Sequence, residues 1–184
     1  MNTHAIISNA ALLAILLCAA VCDLRTRKIP NWLTLSLILC GVVRSLLPQS
    51  GISITQSLLG LLAAIVIPLG LFLIRALGAG DVKLMAGIGA CLGPHAGFAI
   101  FLAAMIVALV ILLIHSTVQG RLVTLLRNSG LLVLMILNLR QYGTKQLSET
   151  GRNCRSIGKP LPYAVPILVA TLMILLMPRL LEVM

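Results

Sequence analysis

Two aspartates are the residues of this sequence best suited to chemistry. Asp23 and Asp81 are its only aspartates, and the other two acids, Glu149 and Glu182, lie in a polar loop and in the C-terminal tail. Both aspartates stand at the ends of apolar runs, where an ionised carboxylate is costly, so each is a candidate functional group. Two carboxylates that face each other share one proton, so one activates a water while the other protonates a carbonyl oxygen. The pair therefore predicts aspartic-type hydrolysis of an amide bond, without a metal or a cofactor.

Other catalytic arrangements have little support in the sequence. His95 and His115 lie at opposite ends of one apolar run and lack the His-Glu-x-x-His spacing of zinc peptidases. No serine has a convincing paired base, which argues against a serine protease. The five cysteines form no Cys-x-x-Cys pair, and four of them lie in apolar runs, so we expect small buried thiols rather than disulfides or metal ligands. The sequence predicts no metal site.

The composition indicates a polytopic membrane protein. Of the 184 residues 60% are hydrophobic, and the mean hydropathy is +1.11, which is too apolar for an ordinary soluble domain. The net charge of +10 would suit nucleic-acid binding, but the basic residues are spread along the chain at the ends of apolar runs. Charges placed in this way are typical of membrane topology signals, so we predict a lipid bilayer and no nucleic acid as partner.

Apolar runs predict an all-α fold with about six transmembrane helices in one domain, residues 1–184. The fourth run is only about 11 residues, roughly 17 Å as a helix, and is shorter than the ~30 Å hydrocarbon core. Because Asp81 directly precedes this run, we expect it at membrane depth, in a cavity lined by protein or water. The runs are Ala5–Cys22, Trp32–Leu47, Ser57–Leu77, Val82–Leu92, Gly97–Ile114 and Leu161–Met177.

The basic residues predict how these helices are oriented. Twelve of the fourteen fall on one side, which we assign to the cytoplasm, and Arg44 and Arg179 are the exceptions. We expect Arg44 to reach the headgroups. Seven of the twelve lie in a cytoplasmic loop at about 115–159, within which Leu131–Leu139 is too short to cross and is expected in the interface. Both termini are then outside, and both aspartates lie on the cytoplasmic side.

Short motifs surround both aspartates. Gly78 and Gly80 precede Asp81, and glycine there permits a positive φ and the close approach of a substrate backbone. After the first apolar run, Pro30 breaks the helix, and Asn31 is a candidate N-cap for the next one. Gly-x-Gly alone is weak evidence, because glycine is common in membrane helices. A Gly-x-Gly-Asp sequence at a helix start, together with a second lone aspartate on the same membrane face, is much stronger evidence for a pair of catalytic aspartates.

These motifs closely resemble the two signatures of the type IV prepilin peptidases, the GxGD class of intramembrane aspartyl proteases. The resemblance rests on Asp23–Asn31 and Gly78–Lys83, and on Leu161–Pro166, which looks like the Pro-Tyr motif that opens the last helix of that family. It implies that Asp23 and Asp81 are the catalytic residues. It also implies that Gly78 and Gly80 are the motif glycines. Further candidates for motif or substrate-approach roles are Lys83, Pro30, Asn31 and Tyr163, although Lys83 also fits a topology charge and the other three also fit structural roles.

The resemblance implies an activity and a location. Members of this family cleave the short basic leader from prepilins or pseudopilins at the cytoplasmic face, usually after a glycine, before a pilus or secretion system assembles. We therefore expect a multi-pass protein of the bacterial inner membrane, with its active site facing the cytoplasm and with pilus-assembly machinery as a further partner. Larger members carry paired Cys-x-x-Cys motifs and N-methylate their product. This chain lacks that region and resembles the compact, peptidase-only subgroup of tight-adherence (Flp) pilus systems.

Two other classes of function are compatible with membrane aspartates. A small transporter or assembly factor would use them to relay protons or to bind a cation. A transporter would need an aqueous path that reaches both membrane faces, and it would be expected to show internal symmetry between the two halves of the chain. No internal repeat is evident in the sequence. A purely structural membrane subunit leaves the matched aspartates unexplained.

Overall fold

The structure, a computed structural model, is all-α in the parts of the chain that it describes, residues 3–47, 51–73, 77–120 and 162–176. Each predicted apolar run overlaps one helix, so the all-α prediction is confirmed. The predicted interfacial segment Leu131–Leu139 lies outside the described residues. The six helices of these ranges are α1 (Thr3–Thr26), α2 (Asn31–Leu46), α3 (Ile54–Leu73), α4 (Ala79–Leu92), α5 (Pro94–Val118) and α6 (Ala164–Leu176).

Among the described residues, three helices are long and apolar enough to cross a membrane. They are α1 from Ile6 to Thr26, α3 and α5. Helices α2 and α6 are also apolar but shorter, at 16 and 13 residues. These spans indicate an integral membrane protein, and the total of six crossings stays a prediction.

The short helix α4 lies among its longer neighbours. It packs against α2, α3 and α5, and ten of its 14 residues are buried. At 1.5 Å per residue it is about 21 Å long, less than the ~30 Å hydrocarbon core, as the sequence predicted. Because other helices enclose it, its first turn places Asp81 in protein, with 8% of the residue exposed.

Helices α3 and α4 approach each other closely through glycines. Gly60 and Gly89 face each other so closely that a Cβ on either one would overlap the backbone oxygen of the other. One turn away, the buried Ser57 hydroxyl donates a hydrogen bond of 2.8 Å to the Ala90 carbonyl. Small residues and interhelical hydrogen bonds are the usual means by which helices associate in lipid. Backbone contact therefore sets the position of α4.

Contacts between the helices bring the motif residues together at one end of the bundle. At that end Asn31, which begins α2, lies beside Lys83 in the first turns of α4, and Asp23 lies beside Ala164 at the start of α6. At the opposite end, the half-buried Arg44 donates a hydrogen bond of 3.0 Å to Asn9 Oδ1. Arg44 thus joins α2 to α1, a contact that the sequence did not predict.

Two helix starts differ from the predictions. Asn31 is the first residue of α2, and Pro30 occupies the N-cap position with φ −61° and ψ 135°, so the predicted N-cap is wrong by one residue. The fifth apolar run was predicted from Gly97, but α5 begins three residues earlier, because Gly93 at φ 85° ends α4 and Pro94 already begins α5. Proline suits the first position of a helix, because an N–H at that position would have no acceptor within the helix and its absence costs no hydrogen bond.

Candidate active site

Both aspartates lie in protein at a helix end. Asp23 is in the last turns of α1 and is 7% exposed, and Asp81 is in the first turn of α4. Aspartates are seldom buried this deeply unless their carboxylates are paired or hydrogen-bonded. The two carboxyl groups are close enough to interact electrostatically. The fold thus brings together two side chains that are 58 positions apart in the sequence.

Each carboxylate accepts a hydrogen bond from the start of a helix. Asp81 Oδ2 accepts the N–H of Gly78, the N-cap residue of α4, at 3.1 Å. Asp23 Oδ2 accepts the N–H of Ala164, the first residue of α6, at 3.2 Å. Such N–H groups have no partner within their own helix, and the positive end of the helix dipole attracts a carboxylate. One oxygen of each carboxyl group is therefore held in place by backbone.

The two motif glycines are needed for close packing. Gly78 has φ −83°, and neither Gly78 nor Gly80 is among the glycines with positive φ, so that part of the prediction is wrong. A Cβ on Gly78 would lie 2.9 Å from Asp81 Oδ2, and a Cβ on Gly80 would lie 3.1 Å from Ile29 Cβ. Gly78 leaves room for the carboxylate, and Gly80 lets α4 lie against the segment that follows α1.

A hydrogen bond joins the two aspartate motifs. Lys83 Nζ donates to Asn31 Oδ1 at 2.9 Å, and both residues are exposed. Together with the contact between Ile29 and Gly80, this bond holds the α1–α2 connection against the first turns of α4. From this bond we predict that Lys83 and Asn31 help to hold the two motifs together, in addition to the substrate-approach role that the resemblance implies.

Replacing Lys83 by methionine is expected to slow catalysis without abolishing it. The substitution keeps the aliphatic stem and removes the donor to Asn31. A typical hydrogen bond contributes about 0.5–1.5 kcal/mol, which corresponds to a loss of roughly two- to tenfold. The matched control is Lys28→Met, because the exposed Lys28 side chain has no hydrogen bond within the described ranges. The measurement is the rate of peptide cleavage. Equal rates for Lys83→Met and Lys28→Met would refute the positioning role of Lys83.

The start of α6 adjoins both aspartates. Tyr163 directly precedes α6, is half-buried and lies within electrostatic reach of Asp81. The next residue, Ala164, donates its N–H to Asp23. The sequence motif pointed to Tyr163 but not to Ala164. A backbone N–H leaves no trace in a side-chain pattern, so no sequence signal was available for that contact.

The possible metal ligands and the cysteines of the described ranges form neither a metal-binding cluster nor a disulfide. No group of three or more His, Cys, Asp or Glu residues there is placed to hold a metal ion. Four of the five cysteines fall in these ranges and are free thiols. Cys91 is buried as predicted, but Cys22 is half-buried and Cys18 and Cys40 are exposed on the surface of the bundle, so the prediction of buried thiols is wrong for these three.

Comparison with known proteins gives one result. The model of the type IV leader peptidase family matches residues 10–113, more than half of the chain. The matched region includes Asp23, the motif glycines and Asp81, and it ends before α6. No curated protein and no solved structure matched the chain. Because the family match covers most of α1, all of α2 to α4 and most of α5, the chain belongs to the type IV leader peptidase family.

Proposed function

We propose that this protein removes the basic leader peptide from type IV prepilins or pseudopilins, with Asp23 and Asp81 as its catalytic dyad. The observation that supports this most strongly is the convergence of the only two aspartates of the chain, both buried, at one end of the bundle. Membership of the leader peptidase family supplies the class of reaction.

The proposed reaction is general acid–base hydrolysis. One carboxylate of the dyad is ionised and takes a proton from a water, whose oxygen attacks the carbonyl carbon of the scissile peptide bond. The other carboxyl group is protonated and donates its proton to the carbonyl oxygen. As the C–N bond of the tetrahedral intermediate breaks, the nitrogen of the mature pilin takes the proton that the first carboxylate removed from the water. The proton on the former carbonyl oxygen returns to the second carboxylate as the C=O bond forms again, so the dyad regains its starting state.

We place the active site at the cytoplasmic face of the inner membrane. The residues around the dyad end of the bundle include the exposed cations Arg25, Lys28 and Lys83. Basic residues next to membrane helices favour the cytoplasmic side. Gly78 and Ala79, three and two residues before Asp81, are exposed, so an extended peptide reaches the carboxylate from that side.

Cleavage by the purified protein tests the proposal. The protein is reconstituted in liposomes and mixed with a peptide that spans the leader and the first residues of a prepilin. We expect one cut that releases the leader, at a rate that EDTA does not change, because the two carboxylates supply both the base and the acid. We also expect a product mass without an N-methyl group when a methyl donor is present, as in the Flp-type peptidases that the chain resembles.

A negative result would separate the two classes of function. If no prepilin leader is cut, the peptidase proposal fails. If the same liposomes instead carry a proton or cation flux that depends on Asp23 and Asp81, the aspartates serve a transporter.

A further inference from the structure

We propose that the backbone N–H of Ala164 positions the carboxylate of Asp23, so that the start of α6 is a third element of the active site. Helix α6 lies beyond the region that the family model matches, which ends at residue 113. The catalytic consequence of this contact rests on the proposed peptidase function. The contact itself is a feature of the fold and is testable without any activity.

The first turn of α6 leaves this N–H available. The first intrahelical hydrogen bond of α6 runs from the Ile167 N–H to the Tyr163 carbonyl at 3.3 Å, so the N–H groups of residues 163–166 have no partner within the helix. Pro166 has no N–H. The Ala164 N–H points out of the helix and meets Asp23 Oδ2 at 3.2 Å.

Both partners of this bond are shielded from solvent. Ala164 is fully buried at 0% exposure, and Asp23 retains 7%. Helices α1 and α6 pack against each other around them. An N–H that is buried without an acceptor costs its full desolvation penalty, so the carboxylate and the amide each need the other.

The bond restricts how the Asp23 carboxyl group can turn. With Oδ2 held by Ala164, rotation about the bond between Cβ and Cγ is limited, and the second oxygen keeps one orientation relative to Asp81. A catalytic group that is misplaced by about 1 Å costs on the order of 100-fold in rate. We therefore assign Ala164 a positioning role, with Asp23 as the group that reacts.

Replacing Ala164 by proline removes this single donor. Proline fits the first position of a helix, so α6 still begins at the same place, but its Cδ occupies the site of the hydrogen and turns the Asp23 carboxylate away. We expect kcat for leader removal to fall on the order of 100-fold, with KM for the prepilin peptide unchanged. The matched comparison, Ala164→Gly, loses the methyl group but keeps the N–H, so its kcat should fall much less than that of Ala164→Pro.

A thermal-unfolding comparison tests the contact independently of activity. Ala164→Pro is expected to lower Tm in the unmodified protein and to lower it less in the Asp23→Ala background, where the N–H already lacks its acceptor. Ala164→Gly should lower Tm equally in both backgrounds. If the effects of Ala164→Pro and Asp23→Ala on Tm simply add, the proposal is wrong.

Hydrogen exchange decides the question if the proline variant does not fold. The Ala164 amide should exchange more slowly in the unmodified protein than in Asp23→Ala, and the Val165 amide serves as the internal control. Equal exchange of the Ala164 amide in both proteins would overturn the proposal. Absence of leader cleavage by the unmodified protein would refute the proposed function, whereas these measurements would still decide whether Ala164 holds Asp23.

Discussion

Asp81→Asn and Asp23→Asn are each expected to abolish leader removal, with a fall in kcat of about 10⁴-fold or more. Asparagine has the shape of aspartate and still accepts the backbone N–H of Gly78 or Ala164 through its side-chain oxygen. It neither takes a proton from water nor donates one to a carbonyl oxygen, so the substitution removes the chemistry and keeps the packing. The readout is the rate at which reconstituted protein cuts a prepilin peptide.

The chain supplies its own controls for this experiment. Glu149 and Glu182 are its only other acids, and Glu149→Gln and Glu182→Gln make the same chemical change away from the dyad motifs. Both control variants should cut at the rate of the unmodified protein. Because the two aspartates act as a unit, the double Asp→Asn variant should be no slower than the slower single variant. Retained cleavage in either single Asp→Asn variant would refute the dyad.

Gly60→Ala is expected to have the largest effect on stability. The new Cβ would overlap the backbone oxygen of Gly89, and backbone cannot move aside as a flexible side chain can. Overpacking typically costs about 1–3 kcal/mol, and contact with backbone places this variant at the upper end. Because α4 must move to relieve the overlap, Asp81 is displaced from Asp23. Both Tm in detergent and the cleavage rate should therefore fall.

Gly70→Ala is the matched control on the same helix. A Cβ at Gly70 meets no atom within 4 Å, so the substitution adds a methyl group to open space. Alanine also favours a helix over glycine, so Tm should not fall. Equal losses of Tm in the two variants would show that the glycine contact between α3 and α4 does not position the helix.

The sequence predicted the fold class and the two carboxylates because both leave strong one-dimensional signals. Apolar runs of helical length mark the helices, and a chain with only two aspartates allows one pair. The shortness of the fourth run also predicted that Asp81 lies in protein, since a helix of that length does not span the bilayer.

The contacts that hold the dyad were not predictable in the same way. The hydrogen bond from Ala164 to Asp23 involves a backbone group, and every residue except proline has one. The bond from Lys83 to Asn31 joins two helices whose relative position depends on packing. Glycine at position 78 was expected to permit a positive φ and the approach of a substrate backbone, but in the structure the carboxylate of Asp81 occupies the space that a Cβ would take. Each of these features depends on tertiary structure.

Cross-linking of the two catalytic positions tests the central claim most directly. In a background without the five natural cysteines, Asp23→Cys and Asp81→Cys are combined, and a protease site is inserted in the connection between α2 and α3. After treatment with a short bifunctional thiol reagent in native membranes and digestion, we expect the two fragments to remain joined. The control pair, Asn9→Cys with Asp81→Cys, places the first thiol at the other end of α1 and should give separate fragments. Separate fragments from the Asp23 and Asp81 pair would contradict a shared active site.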